Sequence, residues 1–277
     1  AYINGYTPFS TGCHIIIGDG LKGLTETFVP VEGGEYVKDA KIGSVVMEAD
    51  VFLSLTHFKG HQSTGFGGAI KNIAMGCVVS QNRAGENQRG RMHAKGEAPF
   101  QWDESCCTLC GQCVEVCSFS SKAIRIEKNK VIIDYAKCCR CGRCVRVCPT
   151  GALSVDLDER TFGLGMAESC KATLSTFEPQ RVIYVNFVME FQPECDCMPM
   201  ADTPLIQDQG ILISDDIVAI DAATLDLVAQ AAPLRQPGQW AAAERVTVEG
   251  PKGRLERVAI LDTALADPLI SRSDSPR

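Results

Sequence analysis

The chain has 277 residues, of which 45% are hydrophobic and 22% are charged, a composition typical of a globular protein and too apolar for a disordered one. Its net charge of -7 at pH 7 and its sequence pI near 5.2 argue against nucleic acid as a partner. No apolar run reaches the roughly 20 residues that cross a bilayer, so no membrane span is expected.

The first hundred residues predict strands and a helix. The short apolar runs HIIIGDG (14–20) and ADVFLSLTHF (49–58) are bounded by glycine or polar residues, as buried strands are. The segment AIKNIAMG (69–76) has a helical pattern and follows a glycine-rich turn. These elements suit the beginning of an α/β domain.

The glycine-rich turn, which contains Gly65, Gly67 and Gly68, is a candidate anion site. Backbone N–H groups at the start of a helix hold carboxylates or phosphates, and lysines nearby add positive charge. The turn matches neither a Walker loop nor a dinucleotide fingerprint. Glycines chosen only for backbone geometry are the alternative. Candidate catalytic residues around the turn are His57, Lys59 and Lys71, with His61 beside them.

Two cysteine runs follow. Residues 107–118 (CTLCGQCVEVCS) return 31 positions later as residues 138–149 (CCRCGRCVRVCP), both with the spacing Cys-x2-Cys-x2-Cys-x3-Cys of a two-cluster bacterial ferredoxin. In that pattern the fourth cysteine of each run binds the other cluster, so the runs must fold as one unit. We therefore assign Cys107, Cys110, Cys113 and Cys148 to one [4Fe-4S] cluster, and Cys138, Cys141, Cys144 and Cys117 to a second.

Disulfides and zinc are the alternative uses of 15 cysteines. A disulfide framework does not need two copies of one spacing, and an odd total leaves a thiol unpaired. Zinc sites also use Cys-x2-Cys pairs, but four cysteines within twelve residues, repeated, favour iron–sulfur clusters in a reducing compartment. We expect a cytoplasmic protein, although a chain that begins at Ala1 leaves room for a removed leader.

Strand signals accompany the cysteine runs, and strands and helices resume after them. The predicted strands are 123–126, 130–134, 152–155, 181–191 and 210–214. The predicted helices are 163–177 and 221–233, the second with Asp221 as its N-cap and Pro233 at its end. We therefore expect an α/β domain, residues 1–102 and 158–277, with an inserted two-cluster bacterial ferredoxin-like (α+β) domain, residues 103–157.

A second cysteine motif, Cys195-Asp196-Cys197, follows the predicted strand 181–191. In an extended backbone both thiols would face one side and could share a metal or form a redox pair. Candidate partners in a third metal site with an open position are Cys77 and His93. Reduced cysteines in a core or pocket wall are the alternative, because free cysteine is often buried.

The segments 51–77, 193–199 (PECDCMP) and 211–228 (ILISDDIVAIDAATLDLV), together with the double cysteine run, resemble the iron–sulfur members of the domain of unknown function 362 family. The resemblance extends from about Ile15 to Leu227. It implies a ferredoxin module carried by a larger α/β domain, and redox work without an assigned substrate.

The sequence thus predicts an iron–sulfur electron-transfer protein. In the leading hypothesis it is an oxidoreductase component, in which two clusters pass single electrons between a redox partner protein and a reacting site in the α/β domain. The residues expected near that site are His57, Lys59, Lys71, Cys77, Cys195 and Cys197. The alternative is a non-catalytic ferredoxin-type subunit that docks onto a larger redox complex. A third hypothesis is a module that delivers metal or exchanges disulfides through the second cysteine motif.

Overall fold

The computed structural model describes residues 1–61, 64–79, 92, 100–118, 122–135, 137–138, 142–154, 159–193, 195–197 and 203–234. The candidate ligands Cys141 and His93 lie outside these residues, as does the end of the predicted strand 152–155.

Within the described residues, small sheets alternate with helices. The strands are β1 (Glu26–Pro30), β2 (Asp39–Gly43), β3 (Phe52–His57), β4 (Lys59–His61), β5 (Gly65–Gly67), β6 (Gln101–Trp102), β7 (Ile124–Glu127), β8 (Lys130–Ile133), β9 (Leu153–Ser154), β10 (Val182–Val188) and β11 (Gly210–Ser214). The helices are α1 (Pro8–Thr11), α2 (Ser44–Met47), α3 (Ala69–Gly76), α4 (Gln112–Ser118), α5 (Arg143–Arg146), α6 (Glu159–Leu174) and α7 (Ile217–Gln230), with a 3-10 turn at Tyr2–Asn4. The chain is therefore a mixed α/β protein, as its sequence predicted.

The central sheet joins strands from both sides of the cysteine runs. Its order is β11-β10-β3, with β3 parallel to β10 and β11 antiparallel to β10. The register places Phe52 opposite Val182 and His57 opposite Phe187. Val182, Tyr184 and Val188 of β10 are at even-numbered positions on one face of the sheet, and all three are buried in the main core. This sheet carries His57 to one end, where the candidate site begins.

The main core lies between this sheet and three helices. Helix α3 packs against α6 and α7, and α7 packs on β10 and β11. Phe58, Ile70 and Met166 are among its fully buried side chains. Asn72 holds α3 over β3, because its Nδ2 donates to Leu55 O (3.1 Å) and lies 3.0 Å from Thr56 Oγ1. Helix α3, which carries Lys71, is therefore held by α6 and α7 through packing and by β3 through the hydrogen bonds of Asn72.

Two predictions about secondary structure are wrong. Residues 14–20 form no strand but an irregular segment and a turn, and Ile16 is 66% exposed. The three isoleucines are followed at once by Gly18 and by Gly20, whose φ of 76° belongs to a left-handed turn and not to a strand. Helix α7 begins four residues before the predicted start, because Asp216 and not Asp221 is its N-cap. The Asp216 carboxylate accepts hydrogen bonds from Val218 N (2.9 Å) and Ala219 N (2.8 Å).

The cysteine runs belong to a second, smaller hydrophobic core, a group of packed side chains that we call the small apolar cluster. Helices α4 and α5 carry the two runs and pack against each other, and β7 and β8 form a hairpin beside them. Strands β6 and β9 pair antiparallel, so the chain enters and leaves this region side by side. The cluster is built by Phe100, Cys113, Cys117, Ala123, Ile124, Cys144 and Leu153.

Among the described residues, no helix combines the length and apolar character needed to cross a membrane.

Candidate functional site

Four cysteines of the two runs line one pocket. Cys107, Cys110 and Cys113 come from the first run and Cys148 from the second. Apolar side chains such as Val131 complete its wall. These four thiols are the set that the spacing assigned to one cluster. Four cysteine sulfurs around one apolar pocket form a donor set for a thiophilic metal group.

Backbone N–H groups face the sulfurs in this region. Burial raises the pKa of the Cys148 thiol, but hydrogen bonds from Leu153, Thr150 and Ala152 outweigh that effect and leave the pKa lowered. In the first run, Ala123 N donates to Cys117 Sγ at 3.1 Å. Both cysteines are the fourth of their runs, and the sulfur of each accepts a hydrogen bond from backbone N–H.

Three of the cysteines assigned to the second cluster belong to or pack against the small apolar cluster. Cys117 and Cys144 are buried in the small apolar cluster, and Cys138 packs against it. Gly111 and Gly142 occupy equivalent places in the two runs and have φ of 79° and 69°. A side chain would strain this left-handed turn, which lets the loop between cysteines fold back. At this glycine the sequence repeat is therefore also a repeat of backbone conformation.

The second cysteine motif lies beside β4. The ligand atoms of His61, Cys195 and Cys197 all lie within 4.8 Å of one another, which makes the three a candidate metal group. Their convergence does not come from an extended strand, because β10 ends at Val188 and residues 196 and 197 form a turn. Cys197 N points at Cys195 Sγ across that turn (3.5 Å).

Cys77, the third candidate ligand in the sequence, belongs to the main core. Burial raises the pKa of its thiol to about 12. It lies near Cys170, whose pKa burial raises as well. The group that the structure forms around Cys195 thus contains His61 in place of Cys77. The histidine was visible in the sequence, but nothing there linked it to a cysteine 134 positions away.

A buried lysine contacts the Cys195 sulfur. Lys71 Nζ lies 3.1 Å from Cys195 Sγ, and both side chains are almost wholly buried. The pKa of Cys195 is lowered to about 5, chiefly by a hydrogen bond from Cys197, against the effect of burial and with help from the Lys71 charge. That same hydrogen bond, together with burial, raises the pKa of Cys197. Of the two thiols, Cys195 is therefore the more acidic.

Asp196, which lies between the two cysteines, contacts three side chains. Its Oδ2 lies 2.8 Å from His57 Nδ1 and 3.5 Å from Lys59 Nζ, and its Oδ1 accepts a hydrogen bond from Gln192 Nε2 (2.9 Å). Burial raises the pKa of Asp196, but His57 and Lys59 outweigh it and leave the pKa lowered. His57 and Lys59, predicted to be catalytic, thus contact Asp196 and fix the turn that presents the cysteines.

The glycines of the predicted anion site have other uses. Gly67 lies beside both lysines, since a Cβ there would be in ordinary van der Waals contact with Lys59 Cε (3.4 Å) and Lys71 Cδ (3.7 Å). Gly65 has φ of 75°, which the turn between β4 and β5 requires. A Cβ on Gly68 would meet Asp221 Oδ1 at 2.4 Å.

The start of α3 is occupied by a carboxylate of the chain itself. Asp221 accepts hydrogen bonds from Ala69 N (2.7 Å) and Ile70 N (3.0 Å), and its Oδ1 also accepts one from Asn186 Nδ2 (2.9 Å). An internal anion, the Asp221 carboxylate, therefore satisfies the N–H groups of Ala69 and Ile70, and an external anion at Gly65, Gly67 and Gly68 stays a prediction. Burial raises the pKa of Asp221 to about 6, against these hydrogen bonds.

One side chain connects the two cysteine regions. Arg143, which lies next to Cys144 in α5, donates from its guanidinium to Cys197 O at 2.9 Å. The contact joins residues 54 positions apart. A ligand-bearing helix of the double run is therefore tied directly to the turn of the second motif.

A family model described as a domain of unknown function (DUF362) matches residues 1–226. No curated protein and no solved structure matches the chain. The matched range includes both cysteine runs and the group of His61, Cys195 and Cys197.

Proposed function

The chain belongs to the DUF362 family, and we propose that it is an iron–sulfur member that transfers single electrons through two [4Fe-4S] clusters. Residues 103–157 form its inserted ferredoxin-like domain, and residues 1–102 and 158–277 form the α/β domain. Cys107, Cys110, Cys113 and Cys148 hold one cluster, and Cys138, Cys141, Cys144 and Cys117 hold the other.

The pocket lined by Cys107, Cys110, Cys113 and Cys148 carries this proposal. A tetrahedral zinc site could be built within one run, whereas three ligands from one run and the fourth from the other are the arrangement of a two-cluster ferredoxin. The N–H groups directed at Cys117 and Cys148 support the same assignment, since hydrogen bonds to sulfur tune the potentials of such clusters.

The contact of Arg143 with Cys197 O supports a role for the α/β domain in the same redox work. It connects the residue beside the ligand Cys144 to the second cysteine motif. In this proposal an external redox partner supplies or removes electrons at the clusters, and the site at Cys195 and Cys197 exchanges them with a substrate. The protein is then an oxidoreductase component rather than a docking subunit.

Metal and sulfide analysis of the protein purified anaerobically tests the proposal. We expect about eight iron and eight acid-labile sulfide ions per chain, as two [4Fe-4S] clusters require. Zinc bound by the double cysteine run, without sulfide, would refute it, because that result would make the run a structural zinc site.

A further inference from the structure

The geometry points to a mononuclear metal site in the α/β domain, with His61, Cys195 and Cys197 as its three protein ligands and zinc as its ion. Their ligand atoms lie within 4.8 Å of one another, as three corners of one coordination sphere do. Two thiolates and one imidazole suit zinc, and three protein ligands leave the fourth tetrahedral position open, as in catalytic zinc sites. Zinc itself undergoes no redox change, so in this account the ion would bind the substrate to which the two clusters pass electrons, a role that rests on the proposed function.

The turn that carries the two cysteines is held in place before any metal binds. Asp196, between the two cysteine ligands, is hydrogen-bonded to His57 and Gln192 and forms a salt bridge with Lys59. From the other side, Arg143 donates to Cys197 O. Such outer contacts orient metal ligands and typically change metal affinity by about 10- to 100-fold when they are removed. Contacts on both sides of a three-residue turn are what a preformed site needs.

His61 is brought to the turn by a close backbone approach. A Cβ on its neighbour Gly60 would lie 2.2 Å from Pro193 O, so only glycine allows β4 to lie this close to the segment before Cys195. Gly60 N also donates to Gln192 O at 2.9 Å. The third ligand is therefore positioned by the backbone of β4.

The charges around the site favour an anion at the open position. A divalent ion with two thiolates and a neutral imidazole has no net charge, and Lys71 beside Cys195 then adds one positive charge. The Lys59 charge is matched by Asp196. Cys197 is exposed, whereas Cys195 is buried, so the open position is reached from the Cys197 side. The ligand class is a small anion with a carboxylate or similar oxygen donor.

Equilibrium dialysis against Zn²⁺ under anaerobic conditions, with iron and sulfide measured in the same samples, tests the site. We expect about one zinc per chain, with X-ray absorption showing two sulfurs at about 2.3 Å and a nitrogen at about 2.0 to 2.1 Å. Cys195→Ser, Cys197→Ser and His61→Ala should each weaken zinc binding by at least 10- to 100-fold. Their iron and sulfide contents should not change. Matched controls are Cys13→Ser and His14→Ala, since both residues are exposed, and far-UV circular dichroism verifies the fold of every variant.

Three results would overturn the site: zinc bound equally by all variants, no zinc uptake by the native protein, or a Cys195–Cys197 disulfide in the protein purified anaerobically. Loss of the clusters with zinc retained would refute the proposed function and leave this site standing. Binding of the anion is tested with Co²⁺ in place of zinc. The visible absorption bands of the bound cobalt are obtained by subtracting the spectrum of Cys197→Ser from that of the native protein. Acetate should shift the cobalt bands, and Lys71→Met should weaken that response by about 10-fold, a loss of one charge contact. An unchanged response would refute the anion assignment.

Discussion

Replacing Gly68 by alanine perturbs the junction between α3 and α7. The new Cβ would lie 2.4 Å from Asp221 Oδ1 and 2.6 Å from its Cγ, so the carboxylate has to move by about 1 Å. That movement stretches the hydrogen bonds from Ala69 N and Ile70 N, now 2.7 and 3.0 Å, past the useful range. Each buried donor left without its acceptor costs about 1 to 3 kcal/mol.

We therefore expect Gly68→Ala to lower the free energy of unfolding by about 3 kcal/mol, or the melting temperature by about 5 to 10 °C. The assay is anaerobic unfolding followed by far-UV circular dichroism, at one scan rate for all variants. Gly76→Ala is the matched control in the same helix, because the nearest atom to its Cβ is Asn72 Oδ1 at 4.0 Å. That change should be neutral or should stabilise the protein by about 0.5 to 1 kcal/mol.

The structural cause can be separated from a general effect on the helix. In an Asp221→Ala background the carboxylate atoms that clash with the new methyl group are absent, so Gly68→Ala should cost less than about 1 kcal/mol there. Equal stability of the Gly68→Ala and Gly76→Ala proteins would refute the reasoning, as would a full cost of Gly68→Ala in the absence of the Asp221 carboxylate.

Three further predictions concern the carboxylate, the link between the cysteine regions and the cluster ligands. The folded-state pKa of Asp221, about 6, lies above its ordinary value of 3.8. The free energy of unfolding of the wild type, measured in urea, should therefore fall relative to that of Asp221→Asn as pH rises, by about 1 kcal/mol between pH 5 and pH 7. A difference that is flat or rises with pH would contradict this prediction. Arg143→Met should keep the iron content but weaken Zn²⁺ binding about 10-fold in equilibrium dialysis, because Cys197 O loses its hydrogen-bond donor. The matched control, Arg125→Met, loses only an exposed ion pair with Glu127 and should change neither the iron content nor Zn²⁺ binding. Cys148→Ser should reduce iron from about eight to about four per chain, whereas Cys106→Ser, whose thiol does not line the pocket, should keep eight; equal losses would show that the ligand assignment is wrong.

Local patterns account for what the sequence predicted well. Helix α3 and strand β11 have the predicted bounds, because each is a short run with glycine or polar residues at its ends. The double cysteine run was recognisable because its ligands are close in the chain and repeat. Pocket lining by three cysteines of one run and one of the other agrees with that assignment.

Contacts between distant segments account for what the sequence did not predict. Asp221 was expected to cap its own helix, but it serves the start of α3, 152 positions earlier, while Asp216 caps α7. No local pattern distinguishes these two aspartates. Likewise His61 was singled out, yet its place beside Cys195 depends on how β4 meets the 191–197 segment, which only the fold defines.

Electron paramagnetic resonance of the reduced protein, recorded during an anaerobic redox titration, tests electron transfer through two clusters most directly. The account predicts two one-electron steps and, at full reduction, two interacting cluster spins per chain that persist in Cys195→Ser. A diamagnetic protein at every potential, or a single isolated spin in a chain with all eight ligand cysteines intact, would contradict it.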